Sequence, residues 1–189
     1  MPAVQPVDWV AIGPPLVLAV AAVLVLVVDA FVGRSRVPWA NLLSVFAVLG
    51  AGAAVIPLAG EERAAFCLPG GLESLPACSY VVDDLTFGFW VVVLVGTLVT
   101  VLLSAVGAID GRVPSGEHHF LLLCSATGAL TIAAARDLAT LVVALELVSL
   151  PAFALVGLKR GDRRSAEAAL KFFLVSVVST AVMLYGISL

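Results

Sequence analysis

Two ionisable residues lie inside long apolar stretches of this sequence. Glu146 stands within DLATLVVALELVSLPAFALVGL, and Lys171 follows the basic loop after that stretch. Charged side chains in the hydrocarbon core of a membrane are costly, so they mark functional sites by default. A carboxyl group that is neutral or charged according to a nearby cation is what a proton relay requires. The alternative for Glu146 is a structural glutamic acid that is hydrogen-bonded and never titrates.

The neighbours of Glu146 strengthen the relay interpretation. Glu146 lies about 12 Å from the outer end of a helix over 138–158 and about 18 Å from its inner end. Pro151 lacks a backbone donor and leaves the carbonyl of Leu147 unpaired. That carbonyl and Ser149 are therefore expected to hold water beside the carboxyl group. The alternative is an ordinary proline of the kind that transmembrane helices tolerate.

Lys171 has a structural alternative of its own. It lies about 9 Å from the inner surface, where a lysine side chain can extend to the interface. Glu167 precedes it by four residues, the favourable order for an ion pair on one helix face. In an antiparallel hairpin the Cα atoms of Glu146 and Lys171 differ in depth by about 9 Å. We therefore expect no direct contact between Glu146 and Lys171.

The composition indicates a membrane scaffold around these residues. Of 189 residues, 62% are hydrophobic and 12% are charged, and the mean hydropathy is +1.17. Several apolar segments reach the roughly 20 residues that cross a bilayer. The sequence therefore predicts an all-α polytopic membrane protein, residues 1–189 forming one domain in contact with lipid. No basic cluster with interleaved aromatics indicates nucleic acid as a partner. The predicted spans are 10–32, 37–59, 85–108, 119–135, 138–158 and 165–189.

Basic residues fix the predicted orientation, because cytoplasmic loops carry an excess of Lys and Arg. One side holds only Arg63 and Arg136, so the N-terminus and the C-terminus are both expected outside. Cys67 and Cys78 then lie in an external loop, where disulfides persist. They either form a bridge or remain two free thiols. The predicted inner side holds Arg34, Arg36, Arg112, Lys159, Arg160, Arg163 and Arg164.

The remaining polar residues have simpler interpretations. Asp83, Asp84 and Asp137 stand at predicted helix N-termini, where acidic residues cap helices. His118 and His119 are expected to form a solvated interfacial pair, with proton entry as the alternative. The sequence has no metal-ligand spacing, phosphate loop, nucleophile–base arrangement or redox motif.

Two motifs resemble one known family. LELVSLP, at Leu145–Pro151, and RSAEAALKFFL, at Arg164–Leu174, occur in that order. They are similar to "LELLSLP" and "RSxEAALKYFL" of chain N of proton-pumping NADH–quinone oxidoreductase, the bacterial complex I. Phe172 replaces the usual tyrosine. The resemblance is strong from Glu117 onward.

The resemblance implies a function for the whole chain. It would be a membrane-arm subunit that helps to couple electron transfer from NADH to quinone to proton translocation across the bacterial plasma membrane. Glu146 and Lys171 match residues of the family's proton path. The chain would bind no cofactor, since NADH, flavin, iron–sulfur clusters and quinone are expected on other subunits of the complex, which would be its partners.

The resemblance also has a limit. Family members have about fourteen helices arranged as inverted repeats, and this sequence predicts six. Lysines of the family's seventh, eighth and twelfth helices have no counterpart here, so we expect a truncated or split copy, with a naturally short subunit as the alternative. Two other functions remain open, namely a subunit of a multisubunit cation/proton antiporter and a non-transporting structural or assembly protein.

Overall fold

The computed structural model describes residues 7–32, 39–67, 78–106, 113–159 and 161–189. In these ranges the chain forms six α-helices and one two-stranded hairpin. The helices are α1 (Trp9–Val32), α2 (Trp39–Val55), α3 (Asp84–Val106), α4 (Ser115–Ala134), α5 (Leu138–Gly157) and α6 (Arg163–Ser188). Four of the basic residues that predicted the orientation lie outside the described residues, namely Arg34, Arg36, Arg112 and Arg160.

Five of these helices are long and apolar enough to cross a membrane. They are α1, α2 with the 3₁₀ turn that follows it (Ile56–Leu58), α3, α5 and α6. α4 is 20 residues long, but Glu117, His118 and His119 stand in its first two turns and lower its hydropathy. The chain is therefore a mostly helical membrane protein.

α4 lies at the centre of the packing. It contacts α1, α3 and α5, while α2 packs against α1 and α3. Large side chains at these contacts are fully buried, among them Leu18, Trp90, Leu123 and Leu130. The indole Nε1 of Trp90 donates to the carbonyl of Leu130 at 2.8 Å, so its polar atom is paired within the core. α6 is peripheral, with no buried residue, and packs against α5.

The segment expected as a loop between α2 and α3 contains a β-hairpin. β1 (Arg63–Cys67) pairs antiparallel with β2 (Cys78–Val82), and a disulfide joins Cys67 to Cys78 at the end of the ladder. β2 contains Tyr and two Val residues, which favour strands. The sequence analysis missed these strands because each is only five residues long and a Gly- and Pro-rich stretch separates them.

The hairpin connects the ends of several helices on one side of the molecule. Arg136, in the turn between α4 and α5, donates its backbone N–H to the carbonyl of Ser79 at 2.9 Å and forms an ion pair with Asp83. Arg63 of β1 binds Asp8, which caps α1, at 3.3 Å. The hairpin thus holds the start of α1, the start of α3 and the turn that leads into α5.

α4 and α5 approach each other closely at Gly128. A Cβ atom at this position would lie 2.8 Å from both the Cγ2 and the backbone nitrogen of Val148. Small residues at helix interfaces of membrane proteins permit such close backbone contact. Gly128 therefore sets the distance between α4 and the segment of α5 that carries Glu146.

We expect Gly128→Ala to destabilise the protein, because its methyl group would meet the backbone of α5 as well as the side chain of Val148, and the backbone cannot move aside easily. Overpacking of this kind costs about 1–3 kcal/mol. The midpoint of thermal unfolding of the purified protein in detergent measures the loss. Gly96→Ala in α3 is the matched control, because a Cβ there meets nothing within 4 Å. Equal midpoints for the two variants would show that the α4–α5 contact is not tight.

Candidate functional site

α5 carries Glu146 near its middle. The helix begins after Asp137, whose carboxylate accepts from the backbone N–H of Thr140 at 2.8 Å. Glu146 stands eight residues after Leu138 and eleven before Gly157, about 12 Å and about 17 Å from the two ends. Its side chain is half-buried. The carboxyl group therefore lies at the depth of the bilayer centre if α5 crosses the membrane.

Two hydroxyl groups contact the carboxyl group of Glu146. Thr180 of α6 donates from Oγ1 to Oε1 at 3.1 Å. Ser149, one turn further along α5, has its Oγ 3.4 Å from Oε2 and also 3.4 Å from the backbone oxygen of Glu146. Each carboxyl oxygen thus has a separate hydroxyl neighbour, one on each helix. The carboxyl group connects α5 to α6.

The pairing of α5 with α6 explains why Thr180 lies opposite Glu146. A Cβ on Gly157 would meet the Cβ of Ala169 at 3.0 Å, so these two positions are level. Four residues before Gly157 on α5 and four residues after Ala169 on α6, the ring of Phe153 packs on Phe173. Glu146 lies eleven residues before Gly157, and Thr180 lies eleven residues after Ala169. Because the two helices are antiparallel, this equal spacing brings Glu146 opposite Thr180. Thr180 was not predicted from the sequence, because depth was counted from the predicted start of α6 and the register between the two helices was not known.

Lys171 lies well away from Glu146. Nine residues of α6 separate Lys171 from Thr180, about 13 Å along the axis, which is more than the 9 Å expected from the sequence. Because Gly157 is level with Ala169, the predicted end of α5 at Leu158 lies three residues, about 4.5 Å, past the predicted start of α6 at Ser165, and this offset accounts for the difference. The ammonium group of Lys171 donates to Glu167 Oε1 at 2.6 Å, and both side chains are exposed, at 72% and 64%.

Pro151 lies in the same part of α5 and is buried. Because proline has no N–H, the carbonyl of Leu147 lacks its usual helical donor. α4 covers this region: a Cβ on Gly128 would lie 2.9 Å from the carbonyl carbon of Leu147, and Ser125 donates to the carbonyl of Val148 at 3.5 Å. The weakened stretch of α5 thus faces protein, next to Glu146.

The expectation of a solvated histidine pair is wrong for His119, which is 2% exposed. Its Nδ1 lies 2.7 Å from the carbonyl of Ser115 and therefore donates to it, while Nε2 is buried with no hydrogen-bond partner among the described residues. His118 is half-buried and its Nε2 lies 3.2 Å from Ser104 Oγ. The cause is the packing of α4 against α1, where the side chain of Asp29 lies directly against Gly116.

Asp83 and Asp137 cap the N-termini of α3 and α5, as predicted. A hydrogen bond from the backbone N–H of Thr86, at 2.8 Å, and the nearby guanidinium of Arg136 hold the pKa of Asp83 below its ordinary value. Hydrogen bonds from the hydroxyl and the backbone N–H of Thr140 lower the pKa of Asp137. Both groups stay ionised at neutral pH.

Among the described residues, no three His, Cys, Asp or Glu side chains come together in a group that could hold a metal ion. A carboxyl group between two hydroxyl groups, as at Glu146, is chemically able to bind and release a proton.

The fold and the site define an α-helical membrane protein with an ionisable group at mid-helix. The family model described as "NADH:quinone oxidoreductase/Mrp antiporter, TM" matches residues 135–189, which contain the whole α5–α6 hairpin. Two curated relatives cover nearly the full chain. Subunit N 2 of the NADH-quinone oxidoreductase of Streptomyces griseus is 54% identical over 98% of the chain, and subunit N from Salinispora tropica is 43% identical over 100%.

A solved structure shows the same fold. The match is to a chain of the respiratory complex I from Thermus thermophilus with bound aureothin, with a TM-score of 0.71 and 30% identity over 92% of this chain. The resemblance to subunit N of NADH-quinone oxidoreductases is thus confirmed. The chain spans about a third of the length of the curated relatives it matches, 34% and 35% respectively, and 35% of the solved chain.

The exposed pair on α6 yields a prediction about Lys171. We expect Lys171→Gln and Glu167→Gln to show a coupling of about 0.5 kcal/mol in a double-mutant cycle of unfolding free energies, because exposed i, i+4 pairs are weak. Unfolding of the purified protein in mixed detergent measures it. A coupling of several kcal/mol would instead indicate a desolvated pair and would place Lys171 in a buried site.

Proposed function

We propose that this chain is part of the membrane arm of a bacterial NADH–quinone oxidoreductase and takes part in proton translocation. The observation that carries the proposal is the carboxyl group of Glu146 between Ser149 and Thr180, at the middle of an apolar helix. Its relatives and its structural neighbour are subunits of respiratory complexes by their names. The complex as a whole would couple electron transfer from NADH to quinone to proton movement.

Glu146 would bind and release the proton. Burial in an apolar medium favours the neutral acid, whereas hydrogen bonds to the carboxylate favour the charged form. With two hydroxyl neighbours the carboxyl group has a partner in either state, so the balance between the states responds to nearby charge. Lys171 lies too far along α6 to supply that charge directly. It would act at the inner end of the hairpin, paired with Glu167.

The proposed arrangement has six spans, namely the five long apolar helices and α4. α4 is long enough for this role, and its contacts with α1, α3 and α5 keep its polar residues against protein rather than lipid. Lys159 after α5 and Arg163 and Arg164 in the first turn of α6 favour the cytoplasmic side for the loop between these helices. The disulfide-bonded hairpin, the start of α1 and the end of α6 then lie outside.

Redox chemistry would take place elsewhere in the complex. The residues around Glu146 offer hydroxyl and carboxyl groups, which handle protons and not electrons. NADH, flavin, iron–sulfur clusters and quinone are proposed to bind other subunits. Those subunits and the lipid of the plasma membrane would be the partners of this chain.

The family model gives a second candidate function, because its description also names Mrp antiporters. In a cation/proton antiporter the same carboxyl group would exchange protons against a metal cation. The relatives that cover nearly the whole chain are oxidoreductase subunits, which favours the first function. Sodium-dependent proton movement without NADH would favour the second.

The test replaces Glu146 by Gln in membranes of the source bacterium. Gln keeps the size and the hydrogen-bonding capacity of the side chain but cannot release a proton. We expect proton pumping driven by NADH to fall by about tenfold or more, because a positioned acid–base group contributes factors of this size. Fluorescence quenching of a pH dye in inverted vesicles measures pumping, and NADH oxidation with added quinone measures turnover.

Glu62→Gln is the matched control, because Glu62 is exposed and lies outside the helices, between the 3₁₀ turn and β1. It should leave pumping close to the wild-type rate. Unchanged pumping in the Glu146→Gln membranes, with the variant chain present in the purified complex, would overturn the assignment. Absence of the wild-type chain from the purified complex would instead favour an assembly or structural role.

A further inference from the structure

The hydroxyl group of Thr180 does not donate within its own helix, unlike many of the helical hydroxyl groups of this protein. Seven of the described helical hydroxyls donate to the carbonyl four residues earlier in their own helix, which is the usual arrangement in apolar helices. These are Ser44, Thr97, Thr100, Ser104, Thr127, Thr131 and Ser179. Thr180 instead donates across the helix interface to Glu146 Oε1 at 3.1 Å.

We propose that Thr180 is the positioning residue of Glu146, fixing the orientation of the carboxyl group so that the exchangeable proton resides on Oε2. This inference rests on the proposed role of Glu146 and adds a residue that acts through it.

The neighbouring hydrogen-bond donors decide which oxygen of Glu146 carries the acid proton. A hydroxyl group that donates to Oε1 makes Oε1 the carbonyl oxygen of the neutral acid, because a protonated oxygen would itself need an acceptor. The acid proton then resides on Oε2, which faces Ser149 Oγ at 3.4 Å. Ser149 can accept that proton's hydrogen bond while donating to the backbone oxygen of Glu146, also at 3.4 Å.

Loss of the proton requires only one hydroxyl group to turn. In the ionised state Ser149 donates to Oε2 instead of to the backbone oxygen, and the two distances are equal. Thr180 donates to Oε1 in both states. Thr180 therefore holds the group still while Ser149 follows the proton. The packing of Gly157 on Ala169 and of Phe153 on Phe172 and Phe173 keeps α6 in the register that this contact needs.

Infrared spectroscopy of the full chain in lipid vesicles tests the proposal. At acidic pH, the wild-type spectrum minus that of Glu146→Gln isolates the C=O stretch of Glu146. Thr180→Val keeps the volume of the side chain but removes the donor, so we expect this band to move to higher wavenumber. Thr180→Ser should return it to the wild-type position, because the hydroxyl group is restored.

Ser179→Ala is the matched control, because the neighbouring Ser179 donates to the carbonyl of Val175 at 2.9 Å within its own helix. It should leave the band in place. A band that stays unchanged in Thr180→Val, or that moves equally in Ser179→Ala, would overturn the proposal. A circular dichroism spectrum like that of the wild type shows that each variant is folded.

The proposed function is tested separately by pumping in membranes. There we expect Thr180→Val to pump more slowly than wild type and Thr180→Ser to restore the rate. A band shift together with full pumping in Glu146→Gln would mean that Thr180 positions a carboxyl group that takes no part in pumping. In that case the structural inference would hold and the proposed function would fail.

Discussion

The cost of placing a carboxyl group at the centre of an apolar helix constrains the rest of this structure. Glu146 can be charged in that position only if polar groups accompany it. The chain supplies Ser149 from the same helix and Thr180 from the next, and it aligns the two helices so that both reach the carboxyl group. That alignment depends on small and aromatic side chains at the α5–α6 contact, namely Gly157, Ala169 and Phe153.

The other helices support this arrangement. α4 comes close to α5 because Gly128 has no side chain, and it covers the stretch of α5 that Pro151 weakens. The disulfide-bonded hairpin contacts the turn before α5 through Arg136. The first turn of α5 is therefore fixed by polar contacts and its middle by close packing. A carboxyl group that changed its charge without moving, as proposed for Glu146, would benefit from both.

The sequence predicted the helical class well, because long apolar segments have few other structures available to them in a membrane. It also predicted the caps at Asp83 and Asp137 and the spacing of Glu167 and Lys171, since these depend on neighbours within one turn. It missed Thr180 and the burial of His119, because both depend on how two helices pack. A serine or threonine in an apolar helix gives no sign of its partner until the register between helices is known.

The central claim is that Glu146 gains and loses a proton as the complex turns over. Infrared difference spectroscopy of the purified complex, recorded before and after addition of NADH and quinone, measures this directly. The account predicts a carboxyl C=O band that changes intensity during turnover, moves in heavy water and is missing in Glu146→Gln. A band that is present at the same intensity before and during turnover would show that Glu146 is a structural acid and would contradict the account.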